Sequence, residues 1–347
     1  MNVTDFDFDL PADLIAQEAP ADRGSSRLLV LDRHTGALTH TTISELPAWL
    51  QRGDLLVVNN TKVFPARLLG RRVPTGGAVE CLLLGRLDYE RWEALMHPGQ
   101  KLRPNEQVEF GDPPVLFAQV LEQRFHGRRT IRLWAGDGRD VMDVIERIGH
   151  VPLPPYIKRA DEPLDRERYQ TVYASVTGSV AAPTAGLHLT QPLLETLRAG
   201  GVERAEITLH VGYGTFKPVR SERVENHVVD PESFSIGVSA AGAINRARDE
   251  GRRIVAVGTT TVRTLEAAVV QGRGRVEPSA GVVDLFIYPG FEFAVTGAML
   301  TNFHLPRSSL LMLVCAFAGR SRVLAAYKEA IAHRYRFYSY GDAMFIV

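Results

Sequence analysis

"RIVAVGTTTVRTLEAAVVQG", residues 253–272, decides the fold class. Ile254 to Val257 is an unbroken apolar run, as expected of a strand buried on both faces. Gly258 and three threonines interrupt it, and "VRTLEAAVVQ" then reads as a helix closed by Gly272. A strand handing over to a helix through a glycine turn is one βα unit. The same grammar repeats on either side. "SVAAP" leads to a helix over 191–199 closed by Gly200-Gly201. "RAEITLHV" precedes a helix capped by Ser239 and closed by Gly251. "VVDLFIY" and "MLTNFHL" are followed by two helices and a last strand, "DAMFIV". This order predicts an α/β fold with a mostly parallel sheet or barrel.

Residues 66–135 have another texture. "AVECLLLGRL", "RWEALMH", "QVEFG", "VLFAQVLEQ" and "RRTIRLWAG" are short alternating or β-branched segments. Turn clusters such as Pro74-Thr75-Gly76-Gly77 separate them, which predicts a small β-barrel or sandwich. "DVMDVIERIG" then reads as a helix and "HVPLPPYIKR" as a stiff linker. The expected organisation is a discontinuous, barrel-like α/β main domain, 1–65 and 152–347, with a β-barrel inserted at 66–151.

The 347 residues suit roughly two domains. With 45% apolar and 23% charged residues, wholesale disorder is excluded. Lys+Arg and Asp+Glu both number 40, so a nucleic-acid partner needs a local basic patch. Cys81 and Cys315 lie far apart in apolar runs and read as reduced core residues. The N-terminus is acidic where a signal peptide is basic, and "LLMLVCAFA" (310–318) is too short to span a bilayer. A cytoplasmic chain is expected.

Strand ends in the main domain carry unusual chemistry. "VAAP" runs into Thr184, Gly186 and His188. "TLHVG" runs into Gly212, Tyr213, Gly214 and Thr215. "VAVG" ends in Gly258, Thr259, Thr260 and Arg263. "DLFIY" supplies Tyr288 and Gly290, and "MLTNFHLP" supplies Asn302 and His304. Parallel α/β folds bind ligands at the carboxyl ends of strands, so five such ends predict one pocket. Taken singly, each glycine is a turn residue and each histidine a hydrogen-bonded structural group. Arg263 suits an ion pair on its helix as well as a ligand. There is no P-loop, H-E-x-x-H, C-x-x-C or G-x-S-x-G motif, so no metal is expected. His227, Asp230 and Glu232 are candidate ligands or acid/base groups, but by spacing their loop reads as a solvated, charge-rich one.

The strings "GDLLVVNNTKVFPARL", "YQTVYA", "GSVAAPTAGLHLT", "HVGYGTFKPV", "GTTTVRTLE", "DLFIYPG", "LTNFHLPRSSLLMLV" and "YRFYSYGDAMFIV" resemble the S-adenosylmethionine:tRNA ribosyltransferase-isomerase family of queuosine biosynthesis. The resemblance runs nearly end to end. Where family members often read H-x-M-H-x-E, this chain has His227-Val-Val-Asp230-Pro-Glu232, so the second histidine is not essential here. "AGLHL" is a mild apolar departure.

The resemblance implies an α/β barrel-like domain with an inserted β-barrel, in agreement with the layout above. It also implies a reaction. The ribosyl group of S-adenosylmethionine passes to the aminomethyl group of a 7-deazaguanine at the tRNA wobble position and is isomerised to an epoxide, releasing adenine and methionine. S-adenosylmethionine is then a co-substrate, and no further cofactor or membrane is implied. The chemistry needs an acid/base group and a clamp for the methionine end. His188 or His304 is expected to handle protons, with Asn302 and Thr184 orienting substrate. The "GTTTVR" turn and Arg263 suit the methionine carboxylate, and Tyr213, Phe216 or Tyr288 suit adenine. Arg67, Arg71, Arg72, Lys158 and Arg159 flank the domain junction and suit tRNA phosphates. Two other classes fit parts of the pattern: an RNA-binding scaffold without turnover, and a nucleoside hydrolase.

Overall fold

The computed structural model describes residues 1–124, 127–216 and 219–347, and of Phe216 the backbone only. The strands, in chain order, are β1 (Arg27–Leu31), β2 (Leu38–Thr42), β3 (Leu55–Asn59), β4 (Thr61–Val63), β5 (Arg67–Val73), β6 (Ala78–Arg86), β7 (Arg91–His97), β8 (Gln107–Phe110), β9 (Leu116–Gln123), β10 (Arg128–Ala135), β11 (Val176–Ser179), β12 (Glu203–Leu209), β13 (Glu232–Ile236), β14 (Ile254–Val257), β15 (Ser279–Val283), β16 (Ala298–Asn302) and β17 (Ala343–Ile346). The α-helices are α1 (Val141–Ile148), α2 (Asp165–Arg168), α3 (Gln191–Ala199), α4 (Val238–Asp249), α5 (Thr259–Gln271), α6 (Ser309–Ala318) and α7 (Arg320–Ala332).

Two sheets organise the molecule. Strands β10-β7-β6-β5-β8-β9 close into a barrel. Period-two alternation turns Val79, Cys81 and Leu83 inward on β6, and Trp92, Ala94 and Met96 on β7. The main sheet has nine strands in the order β15-β13-β12-β3-β14-β16-β17-β1-β2. Its strands β3, β14 and β16 are buried along their whole length, which explains their apolar runs Leu55–Val58, Ile254–Val257 and Ala298–Leu300. Separate apolar clusters fill its two faces.

The sheet is mixed rather than mostly parallel. Strands β12, β3, β14 and β16 run parallel, but β17 is antiparallel to β16. Helices α6 and α7 meet at 114°, so the chain turns back and re-enters the sheet from the same end. Asn302, the last residue of β16, therefore faces Ala343, the first of β17. β1 runs parallel to β17 and also begins at that end. The carboxyl ends of β14 and β16 thus share one rim with the segments that precede β1 and β17. The expected strand "SVAAP" stops at Ser179, whose hydroxyl lies near the Ala181 and Val211 carbonyls instead. Cys81 and Cys315 are buried thiols, and burial pushes both up to about 12.

Candidate active site

At this rim, β14 ends in Gly258, whose φ of +90° is one that side-chain-bearing residues rarely adopt. A Cβ there would have 3.7 Å to its nearest neighbours, so the backbone angle rather than space calls for glycine. The turn opens α5. Two of its first threonines spend their hydroxyls on the helix: Thr261 donates to the Val257 carbonyl and Thr264 to that of Thr260. The Thr260 hydroxyl is buried and has no partner among the described residues.

Across the rim, both amide protons of Asn302 are used. Nδ2 donates to the Tyr338 carbonyl at 3.0 Å and lies 3.0 Å from Nε2 of His188. A carbonyl can only accept, so the amide orientation is fixed and Nε2 carries the lone pair. Nδ1–H of His188 then donates to Ser26 Oγ, 2.9 Å away. The Asn302 side-chain oxygen is buried without a partner among the described residues. His304 Nε2 lies 2.8 Å from the Thr301 hydroxyl, and the backbone N–H of His304 donates to Tyr327. Burial holds both imidazoles neutral, His188 down to about 4 and His304 down to about 3; the Arg23 charge adds to the effect at His188.

Asn302, His304 and the start of α5 border one chamber of about 40 Å³. Thr184, Thr215, Gly258, Thr259, Thr260, Asn302 and His304 all line it. A second chamber of about 40 Å³ adjoins it, with Thr215 and Leu310 shared between the two. Its walls include Gly214, His227, Asp230, Glu232 and Arg263. Arg263 donates through Nε to the Leu285 carbonyl at 3.0 Å and through Nη1 to Glu232 Oε2 at 2.7 Å. Its Nη2 is buried with no partner among the described residues. Glu232 also accepts the Gly212 N–H at 2.8 Å. Glu232 is thus a buried acceptor rather than part of a solvated loop.

A family model described as "Queuosine biosynthesis protein" matches residues 3–346. The chain belongs to this queuosine biosynthesis family. It is 50% identical to the S-adenosylmethionine:tRNA ribosyltransferase-isomerase of Desulfitobacterium hafniense and 51% identical to that of Symbiobacterium thermophilum, each over the full length of both chains. The crystal structure of the S-adenosylmethionine tRNA ribosyltransferase of Thermotoga maritima is 38% identical, covers 99% of this chain and all of its own, and superposes with a TM-score of 0.56.

In this family member, the rim collects seven sequence-nominated residues in the first chamber and two more, Gly214 and Arg263, in the second. Others lie elsewhere. His188 sits behind Asn302 and borders a separate small cavity beside Arg23. Gly186 packs on Tyr173, where a Cβ would come within 2.1 Å of the phenol oxygen. Tyr213 faces the cleft between barrel and main sheet. Tyr288 packs against Phe286, which lines the second chamber, and Gly290 forms a turn at φ +105°. The Phe216 side chain lies outside the described residues.

The basic residues divide in two. Arg67 pairs with Glu80, Arg72 donates to the Lys101 carbonyl, and Arg159 makes a two-pronged pair with buried Asp165. Arg71 and Lys158 are exposed. Sequence reading missed Tyr338 and Ser339, which close the first chamber. Tyr338 has φ +76°, rare for a tyrosine, and is held by its N–H bond to the Phe303 carbonyl. Such backbone strain is characteristic of functional sites. Only the tyrosine-rich string before the last strand hinted at it.

Proposed function

We propose that this chain transfers the ribosyl group of S-adenosylmethionine to the aminomethyl group of 7-aminomethyl-7-deazaguanine at the tRNA wobble position and isomerises it, releasing adenine and methionine. One observation carries the assignment of this reaction to the rim. Three buried polar atoms that have no partner among the described residues, Thr260 Oγ1, Asn302 Oδ1 and Arg263 Nη2, belong to residues that line two adjoining chambers. Buried polar groups are rarely left unpaired, so these atoms await a ligand.

S-adenosylmethionine has matching ends. Its carboxylate suits Arg263 Nη2, whose second nitrogen already neutralises Glu232. Its adenine and ribose present donors and acceptors to Asn302 Oδ1 and Thr260. Ligand pockets usually hold roughly 300 Å³ or more. The two chambers must therefore merge on binding, by displacing the wall at Thr215 and Leu310.

Within the first chamber, His304 is the proton carrier. Kept neutral by burial, it accepts a proton from the ribose carbon beside the sulfonium and returns it to the departing adenine. The imidazolium is strongly disfavoured at this buried position, so negative charge developing on adenine has to compensate it. His188 has both nitrogens engaged and acts by orienting Asn302. The wobble base reaches the site flipped out of its stack. Arg71 and Lys158 contact phosphates beside the entry. We place the protein in the cytoplasm with its tRNA substrate; among the described residues no single helix is long and apolar enough to cross a membrane.

The test is incubation with S-adenosylmethionine, with and without tRNA bearing the aminomethyl base, followed by chromatography of adenine and methionine. Equimolar release that requires the tRNA supports the reading. Release without tRNA would indicate a hydrolase, and tRNA binding without release a scaffold.

A further inference from the structure

A second constellation lies outside the pocket. His40 is on edge strand β2, Glu329 is on the last turn of α7, and His333 caps that helix. One ligand atom from each lies within 4.8 Å of the other two. His40 Nε2 is 3.5 Å and His333 Nδ1 is 3.1 Å from the same oxygen, Glu329 Oε1; Nδ1–H of His333 also donates to the Glu329 carbonyl at 3.1 Å, a bond that the metal would replace. A tetrahedral zinc ion with bonds of 2.0–2.1 Å implies roughly 3.3 Å between neighbouring ligand atoms. The observed separations bracket that edge.

The surroundings also suit a metal. His40 Nδ1 lies 2.9 Å from the hydroxyl of Tyr335, a residue only 1% exposed. Donation of Nδ1–H to that hydroxyl leaves the Nε2 lone pair facing the carboxylate. Metal-bound histidines are oriented by such an outer partner in most proteins. Tyr335 is itself pinned, with the Arg27 guanidinium 3.9 Å over its ring and Phe303 at 5.6 Å. Arg27 adds no uncompensated charge, because it is turned to the His333 and Arg334 carbonyls and to Asp342.

We propose that His40, Glu329 and His333 form a surface site for a zinc-class divalent transition metal, which clamps edge strand β2 to the end of α7. Two imidazoles and one carboxylate supply three ligands, and water completes the shell. None of the three lines the substrate chambers, so the site is structural. It does not depend on the reaction proposed above.

The test uses the full chain without a purification tag, stripped with a chelator. Titration with Zn²⁺ by calorimetry should show one saturable equivalent, and Co²⁺ should give the visible absorption of a tetrahedral centre. His40→Ala and His333→Ala should each weaken binding by more than about tenfold, and Tyr335→Phe by about tenfold with all ligands in place. Thermal unfolding of the wild type, but not of His40→Ala, should shift upward with Zn²⁺. Absence of saturable binding overturns the proposal. So does binding that both histidine variants retain at wild-type strength.

Discussion

Asn302 and His188 are joined by a 3.0 Å contact that fixes what each can do. The asparagine gives its second amide proton to the Tyr338 carbonyl, and its oxygen, on a residue that lines the first chamber, has no partner among the described residues. The histidine is thereby a positioning residue. Asn302→Ala should leave a substrate N–H unpaired and slow single-turnover adenine release by roughly 10- to 100-fold, the cost of one orphaned buried group. His188→Gln should lower the same rate while shifting the KM for S-adenosylmethionine less than Asn302→Ala does. Wild-type release rates in both variants would remove this pair from the mechanism.

Acid should destabilise the fold through two histidines. Burial depresses His188 to about 4 and His304 to about 3, whereas unfolded histidine titrates near 6.5. Between pH 6.5 and 4 the unfolded chain therefore binds more protons, and stability rises with pH. The contribution is fully present above pH 6.5. It should fall by about 1.4 kcal/mol per pH unit for each histidine as pH drops through that window. Urea unfolding at pH 7.5, 6 and 5 measures the slope, and His188→Gln should reduce it. Stability that does not change across this range would contradict the burial of these imidazoles.

The Arg263–Glu232 pair separates a structural role from a binding one. Both side chains are less than a tenth exposed. Arg263→Ala leaves a buried carboxylate unpaired and should cost about 3–5 kcal/mol of stability. Arg263→Lys keeps the charge for Glu232 but loses the spare Nη2. Its melting temperature should fall less than that of the alanine variant, while its affinity for S-adenosylmethionine drops about tenfold or more. Unchanged affinity in Arg263→Lys would return Arg263 to a purely structural role.

Much of the rim was legible because its logic is local. Gly258 and the threonines after it announce a strand–helix turn, and Asn302 and His304 sit where a buried strand ends. Short alternating segments such as Val79, Cys81 and Leu83 made a barrel or sandwich legible, and the structure closes it as a barrel. What sequence could not give was contact across long separations. Ser26 reaches His188, 162 positions away, only because β1 starts at the rim. Tyr338 and Ser339 arrive there because β17 is antiparallel to β16, a reversal set by how α6 and α7 pack. Glu232 was read as solvated because its partner, Arg263, is 31 residues on.

Binding of tRNA should depend on exposed rather than paired cations. Arg71→Ala and Lys158→Ala should each reduce the slope of log affinity against log salt by about one. Arg159→Ala should instead lower stability, because buried Asp165 loses both of its guanidinium bonds. Filter binding across a salt series, paired with thermal melts, distinguishes the two effects. Equal salt slopes for wild type, Arg71→Ala and Lys158→Ala would exclude these phosphate contacts.

The most direct measurement is a crystal structure of the chain with S-adenosylmethionine bound. The account predicts ligand atoms within hydrogen-bond reach of Thr260 Oγ1, Asn302 Oδ1 and Arg263 Nη2, with the two chambers joined across Thr215 and Leu310. Ligand bound elsewhere, with those three atoms still unpaired, would contradict it.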